Sequence, residues 1–486
     1  MKFAIFRKFL LVLLLLFFFY SCASKTEVIP EEIEINDFVW KGLNAYYFWQ
    51  SSKPELDDNR FNSQASLDNY LAGFSNPENI FESLLFRPTD RFSLIVNDYT
   101  VLENAFQGVT LNHGMEFGLV RHKTITSNVF GYVRYVIPES DASIKGVTRG
   151  MIFNQINGVQ ITETNYISLL SNNTYTIGLA DFNDGDPIST ATTITLIKSQ
   201  LEENPIKIAK VFDEGMGNKI GYLMYNQFSA PFDSALNNAF LTFKNENITD
   251  LIVDLRYNGG GSVRTATYLG AMITGQFNEH IFSKQVWNEK VLASWPEENF
   301  INRFPNQINN GIITENINSV NLSSVYFIVS GSSASASELV INSLRSYIDV
   351  KLVGLKTVGK QEGSITLYDA DDFRKNGSNF NLNHRYAIQP IVFEITNKNN
   401  QNEINGYLPG VTLPGIKLGE DFGNLGVLGV LGVLGERTDP LLDRTINYIL
   451  TGAKGNFYSR KKEYTTEFSN SKLTTPTGNN MYLEFK

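Results

Sequence analysis

The 486-residue chain has one cysteine, Cys22, and four histidines, His113, His122, His280 and His384. So few thiolate and imidazole ligands make a zinc site an unexpected reading, and no metal or cofactor is assigned. A lone cysteine has no partner within the chain, so the fold is expected to manage without disulfides. Charge of one sign is not concentrated either. Forty-one Lys and Arg against 50 Asp and Glu leave a formal net charge of −9, with the basic residues scattered. Nucleic acid is therefore not an expected partner. Long apolar runs are missing with one exception, FLLVLLLLFFFY (Phe9 to Tyr20), whose 12 residues are too few to span a bilayer and suit a signal h-region.

That run follows a basic start and ends in Ser21-Cys22-Ala23. The arrangement resembles a bacterial lipoprotein signal, which implies residues 1–21 as a signal peptide and Cys22 as a lipidated N-terminus. The expected location is the cell envelope, with the chain exported and held at a membrane (an outer membrane is the first expectation) through the lipid.

The remaining length suits two to four domains, and a content of 42 % hydrophobic residues is enough for real cores. Residues 22–104 read as a linker and a small helical domain, with Phe38, Leu43, Tyr46 and Tyr47, then Leu67, Tyr70, Leu71 and Phe74, at helical spacing. Over 105–202 the texture turns to short β runs, with Asn183-Asp184-Gly185 as a hairpin turn. Pro138, Ala142, Gly146, Gly150, Ile156, Asn157 and Gly158 fall in an order that resembles a PDZ domain. That likeness implies an exposed strand edge able to accept a peptide, for which Phe117, Gly118 and Leu119 are the candidates. Residues 203–450 alternate strand and helix patterns, as an α/β layer structure does. A polar stretch at about 276–318 reads as an insertion, and 451–486 as a C-terminal tail. The Gly-Val-Leu repeat from Leu425 to Gly435 is assigned no chemistry.

Two chemistries compete for VGLKTVGK (Val353 to Lys360). Gly354, Gly359 and Lys360 approach the phosphate-loop pattern, but that loop needs Ser or Thr after its lysine and then a helix. Here Gln361 follows, and EGSITLYDADD has no helical period. The other chemistry begins at Ser335, placed between the strand VYFIVSG and the helix LVINSL. Ser335-Ala-Ser-Glu338 is a capping box on its simplest reading. A serine at such a turn also sits in the positive field of a helix N-terminus, where the Ala336 N–H and a glycine N–H from Asn258-Gly-Gly-Gly261 are able to hold an oxyanion. Such a serine needs a base, and none of the four histidines suggests a triad. A lysine serves if burial lowers its pKa toward neutrality, and Lys360 follows an apolar strand that would carry it inward.

Taken together, VDLRYNGGG, SGSSASASELVINSL and VGLKTVGK resemble the C-terminal processing peptidases, or tail-specific proteases. The resemblance implies a multidomain α/β and α+β protein: a helical cap, a PDZ-like β-rich module and a crotonase/ClpP-like protease core. It also implies Ser335 as nucleophile and Lys360, 25 residues on, as general base. Gly259 or Gly260 with Ala336 would form the oxyanion hole, and Glu338 would support it. Ser364 stands where many members carry a glutamine that orients the lysine, and is expected to contact Lys360. Expected substrates are proteins with unstructured C-termini. The alternative is a lipid-anchored peptide-binding protein on the same fold whose serine and lysine are idle.

Overall fold

The structure, a computed structural model, describes residues 29–420, 431–454, 467–475 and 477–484. The leader with Cys22 and most of the Gly-Val-Leu repeat lie outside them. None of the described helices is long and apolar enough to cross a membrane.

Helices α1 (Glu34–Tyr46) and α2 (Pro77–Leu84) form where apolar residues recur at helical spacing. Phe38, Val39 and Leu43 of α1 and Ile80, Phe81 and Leu84 of α2 are all buried in one core. Asn76 starts α2 by accepting the Asn79 N–H at 2.8 Å, with Pro77 at the first helical position.

The next unit is an antiparallel sheet in the order β1 (Met115–Arg121), β2 (Val129–Val136), β3 (Ile152–Ile156), β4 (Thr174–Asp181) and β5 (Ile188–Ile197). Phe117, Leu119, Val133, Phe153, Ile177 and Leu196 fill its core. The turn at Asn183–Gly185 runs through three residues of positive φ (44°, 54° and 97°), as its Asn-Asp-Gly sequence leads one to expect.

The third unit is built on a six-stranded sheet. Its first two strands, β6 (Ile206–Asp213) and β7 (Lys219–Tyr225), are antiparallel. After helix α3 (Asp233–Asn245) comes β8 (Asp250–Asp254), parallel to β7. A two-residue strand, β9 (Gly261–Ser262), and helix α4 (Val263–Thr274) precede β10 (Ser324–Val329), which is parallel to β8. Helix α5 (Ala336–Leu344) leads to β11 (Asp349–Gly354), again parallel. The short strands β12 (Glu362–Ser364) and β13 (Ile391–Asn397) belong to a second sheet, while β14 (Gly415–Lys417) closes the first beside β11.

Alternation along the central strands splits the side chains between two cores. Leu251, Val253, Val325, Phe327 and Val329 face α3, α4 and α5. Ile252, Tyr326 and Ile328 face the other way, toward Leu441, Leu442 and Ile446 of α6 (Pro440–Thr451). Burial on both faces explains why these strands read as unbroken β-branched runs. Part of the stretch at 276–318, expected as an insertion, instead supplies Ile281–Trp287 to the second sheet, paired antiparallel with β13. Two strands from the end of the chain complete the sheets. β15 (Glu467–Asn470) adds to the edge of β1, and β16 (Met481–Tyr482) lies between β9 and β12.

The Asp-Leu-Arg of VDLRYNGGG is explained by charge. Arg256 is fully buried and is held by Asp254 at 2.6 Å, Asp439 at 2.7 Å and Glu420 at 3.3 Å. Glu420 also accepts from Arg149 at 2.7 Å and from the Tyr257 hydroxyl at 2.6 Å. The two guanidinium groups overcome the cost of burial and hold the Glu420 carboxyl down at about 2. Removing one member of such a network strands the others without compensation. Arg256→Ala is expected to cost about 3–5 kcal/mol, measured as a lower thermal midpoint, whereas the same change at the exposed Arg303–Glu298 pair should leave that midpoint nearly unmoved.

Candidate active site

Three turns meet beyond the carboxyl ends of β8, β10 and β11, the end of a parallel sheet where ligands are normally bound. The glycine turn after β8 is shaped by Asn258. Its Oδ1 accepts the Gly260 N–H at 2.8 Å, and its Nδ2 donates to the Tyr225 carbonyl at 2.9 Å. The Asn258 carbonyl in turn accepts the Ser337 hydroxyl at 3.0 Å and the Ala334 N–H at 3.2 Å, which ties this turn to the one after β10. Gly260 has a φ of 118°. A Cβ there would sit 2.5 Å from the Asn480 carbonyl oxygen and 2.7 Å from Ser335 Cβ, so no other residue fits.

Ser335 begins α5 and is fully buried. Its φ of 65° lies in the left-handed region, which costs a residue with a side chain about 1–3 kcal/mol. The hydroxyl has no hydrogen-bond partner among the described residues. The capping-box arrangement expected from the sequence is present, with Glu338 accepting the Ser335 N–H, but it leaves Oγ without a close hydrogen bond.

Glu338, one turn into α5, joins the serine turn to the lysine turn. Oε2 accepts the N–H of Ser335 at 2.9 Å and that of Lys360 at 2.8 Å. Oε1 accepts the N–H of Gly359 at 2.7 Å and the Thr357 hydroxyl at 2.5 Å. Burial pushes this carboxyl up to about 7, against the pull of the four donors.

Lys360 is 1 % exposed, and its ammonium lies 4.4 Å from the centre of the Phe92 ring. Burial pushes its pKa down to about 7, opposed by Glu362, Asp90 and Glu338. Nζ donates to the carbonyl of Asn479 at 2.6 Å rather than to Ser335. Ser364 makes no hydrogen bond to Lys360 either. Its hydroxyl donates to Asn480 Oδ1 at 3.0 Å and to the Met481 carbonyl at 3.2 Å.

Ser335, Ala336, Glu338, Gly259, Gly260, Lys360 and Ser364 thus occupy one neighbourhood. Phe117, Gly118 and Leu119 lie apart from it on β1, where β15 pairs with them antiparallel: Ser469 opposes Leu119 and Asn470 opposes Gly118. Cys22 lies outside the described residues. Sequence reasoning missed Phe92, Thr357, Asn479 and Asn480. None carries a chemical signature, and Asn479 and Asn480 enter from more than a hundred residues away.

No curated protein matches the sequence. Among solved structures, a Bacteroides fragilis NCTC 9343 protein assigned as an S41 protease has a similar fold. The likeness covers 85 % of this chain and 97 % of that one at 21 % identity, with a TM-score of 0.61. The photosystem II D1 C-terminal processing protease aligns over 85 % of this chain and all of its own at 14 % identity, with a TM-score of 0.49. Residues 34–94 match the family model of the peptidase S41 N-terminal domain, and residues 219–406 match peptidase family S41 itself. These two matches take in just over half of the sequence and span both the helical start and all three turns of the site: the chain belongs to peptidase family S41.

Proposed function

We propose that this serine-type peptidase is an endopeptidase of the C-terminal processing kind, with Ser335 as nucleophile and Lys360 as general base. The observation that carries the reading is the lysine. It is buried, brought near neutrality by desolvation, and hung through its own N–H on the carboxylate that also holds Ser335. A lysine used only as a surface charge gains nothing from such a setting.

In the first step Ser335 Oγ attacks the peptide carbonyl carbon while its proton passes to the Lys360 amine. This requires Nζ to leave the Asn479 carbonyl and turn to Ser335. Gly260 has committed its N–H to Asn258, so the oxyanion falls to the N–H groups of Gly259 and Ala336, with the N-terminus of α5 adding its field. Collapse of the tetrahedral intermediate breaks the C–N bond, and the leaving amine takes the proton from Lys360. Water, deprotonated by the Lys360 amine, then attacks the ester carbonyl, and as the C–O bond to Ser335 breaks Lys360 returns that proton to Oγ. Glu338 acts as a positioning residue through its four donors.

The β1–β5 sheet is the PDZ-like module in this reading, and the β1 edge at Phe117–Leu119 takes an extended peptide from a protein with an unstructured C-terminus. The core is of the crotonase/ClpP-like kind. Export and a lipid at Cys22 complete the proposal, supported by the leader sequence.

Given an unfolded protein with an apolar tail, the unaltered chain is expected to release fragments by mass spectrometry. Ser335→Ala and Lys360→Ala should each lower kcat by on the order of 10³ or more. If all three proteins bind the tail equally and none cuts it, the idle peptide-binding reading replaces this one. The pH profile provides a separate check. The base works as the free amine, so protonation removes it: kcat/KM should fall about tenfold per pH unit below about 7 and level off above. A profile flat from pH 5 to 8 would exclude Lys360 as the base.

A further inference from the structure

Each part of the path expected for a peptide is already filled by the chain itself. β15 lies antiparallel on the β1 edge, with Glu467 opposite Val120 and Asn470 opposite Gly118. The half-buried Phe468 ring packs against Tyr166 at 5.4 Å, on the side of the core of the β1–β5 sheet. Ser471 holds the turn that follows, its hydroxyl accepting the Phe117 N–H at 3.0 Å. The chain then crosses the catalytic neighbourhood. Asn479 gives its carbonyl to Lys360 Nζ, and the Asn480 carbonyl oxygen lies against Gly260, the residue that touches Ser335. Beyond this point β16 inserts between β9, which follows the glycine turn, and β12, which follows the lysine. It is parallel to both, with Met481 beside Gly261 and Tyr482 beside Ser262 and Ser364.

Two extended pieces, β15 and β16, thus flank a 3-10 turn at Ser471–Thr474 and a second turn at 477–479, which bring the chain from a sheet edge across Ser335 and Lys360. The charges along it show that the fit is specific. Arg134 of β2 is 1 % exposed and forms its ion pair with Glu467. Tyr132 and Ser332 also donate to that carboxylate, and Ser332 lies three residues before the nucleophile. At the far end Glu484 accepts from the Ser262 hydroxyl at 2.7 Å and pairs with Arg264 at 3.1 Å. A buried guanidinium without a carboxylate is costly. The Arg134 site therefore calls for an anionic group on whatever peptide occupies this path.

We propose that residues 467–475 and 477–484 are an internal peptide lodged in the substrate path, where they compete with incoming peptides, and that the path selects peptides placing a carboxylate at Arg134. This rests on the peptidase reading given above. While the segment is docked, Lys360 is held by the Asn479 carbonyl and Ser335 has no proton acceptor. Cleavage of another chain requires the segment to leave. A purely structural segment would have no such effect.

Glu467→Gln and Glu484→Gln, made separately, loosen the segment without emptying the core. For cleavage of an unfolded reporter peptide, each is expected to lower KM about tenfold with kcat unchanged, the loss of 1.4 kcal/mol from a competing equilibrium. An unchanged KM, or a fall in kcat together with the thermal midpoint, would overturn the proposal in favour of a structural strand. A second readout needs no catalysis. A fluorescent peptide of residues 467–484 should bind the Glu467→Gln chain at least tenfold more tightly than the unaltered chain, by anisotropy. Equal affinities would also overturn it. If neither chain cuts the reporter but the affinities still differ, the peptidase reading fails while the lodged peptide stands.

Discussion

The Glu338 carboxylate is the constraint on which the site depends. Two oxygens receive one hydroxyl and three backbone N–H groups from two turns that follow different strands. Neither turn has regular structure of its own, and a buried turn must find partners for its polar backbone. By meeting that need at a single side chain, the fold places Ser335 and Lys360 with the precision of a helix rather than of a loop. Asn258 does the corresponding task for the glycine turn, through its side chain on one side and its carbonyl on the other. The three motifs are separate in sequence, but they make one hydrogen-bonded unit.

Below that unit the sheet carries charge in places usually reserved for hydrocarbon. Arg256, Asp254, Asp439, Glu420 and Arg149 form a closed network on the α6 side of the strands. Its members come from the turn before β3, from β8 and the turn after it, from the loop after β14 and from the residue that caps α6, so their mutual satisfaction also sets how these units sit together. The opposite face is mostly apolar. One face thus supplies packing energy and the other supplies orientation, a division well suited to a protein that must hold a reactive turn in strain.

How much of this was legible in the sequence depended on range. The strands before Ser335 and Lys360 announced themselves as β-branched runs, and the turn before α5 by its serines and small residues. These signals are local. The hairpin at Asn183–Gly185 was read from three residues for the same reason. Contacts made across the chain left no such trace. Met481–Tyr482 is a strand of two residues, too short for any periodicity, and it becomes a strand only because β9 and β12 flank it. Ser364 was expected at the lysine because of where it stands in a motif, but its hydroxyl is taken by Asn480 and Met481. The stretch from 276 to 318 looked irregular because its strands are short and its polar residues many, although Ile281–Trp287 is an ordinary member of the second sheet. Pairing partners decided these cases, and a partner hundreds of residues away is invisible to a window of ten.

Ser335 carries a further consequence. Its backbone, at a φ of 65°, is comfortable for glycine and not for serine. Its hydroxyl adds a buried polar group without a partner among the described residues. By the ordinary standards of folding this is the wrong residue for the position, and selection for stability alone would drift toward glycine. Ser335 stands against the fold's own preference, so if it serves as the proposed nucleophile, a lineage of this protein released from the need to cut peptides should lose this serine early and gain stability in doing so.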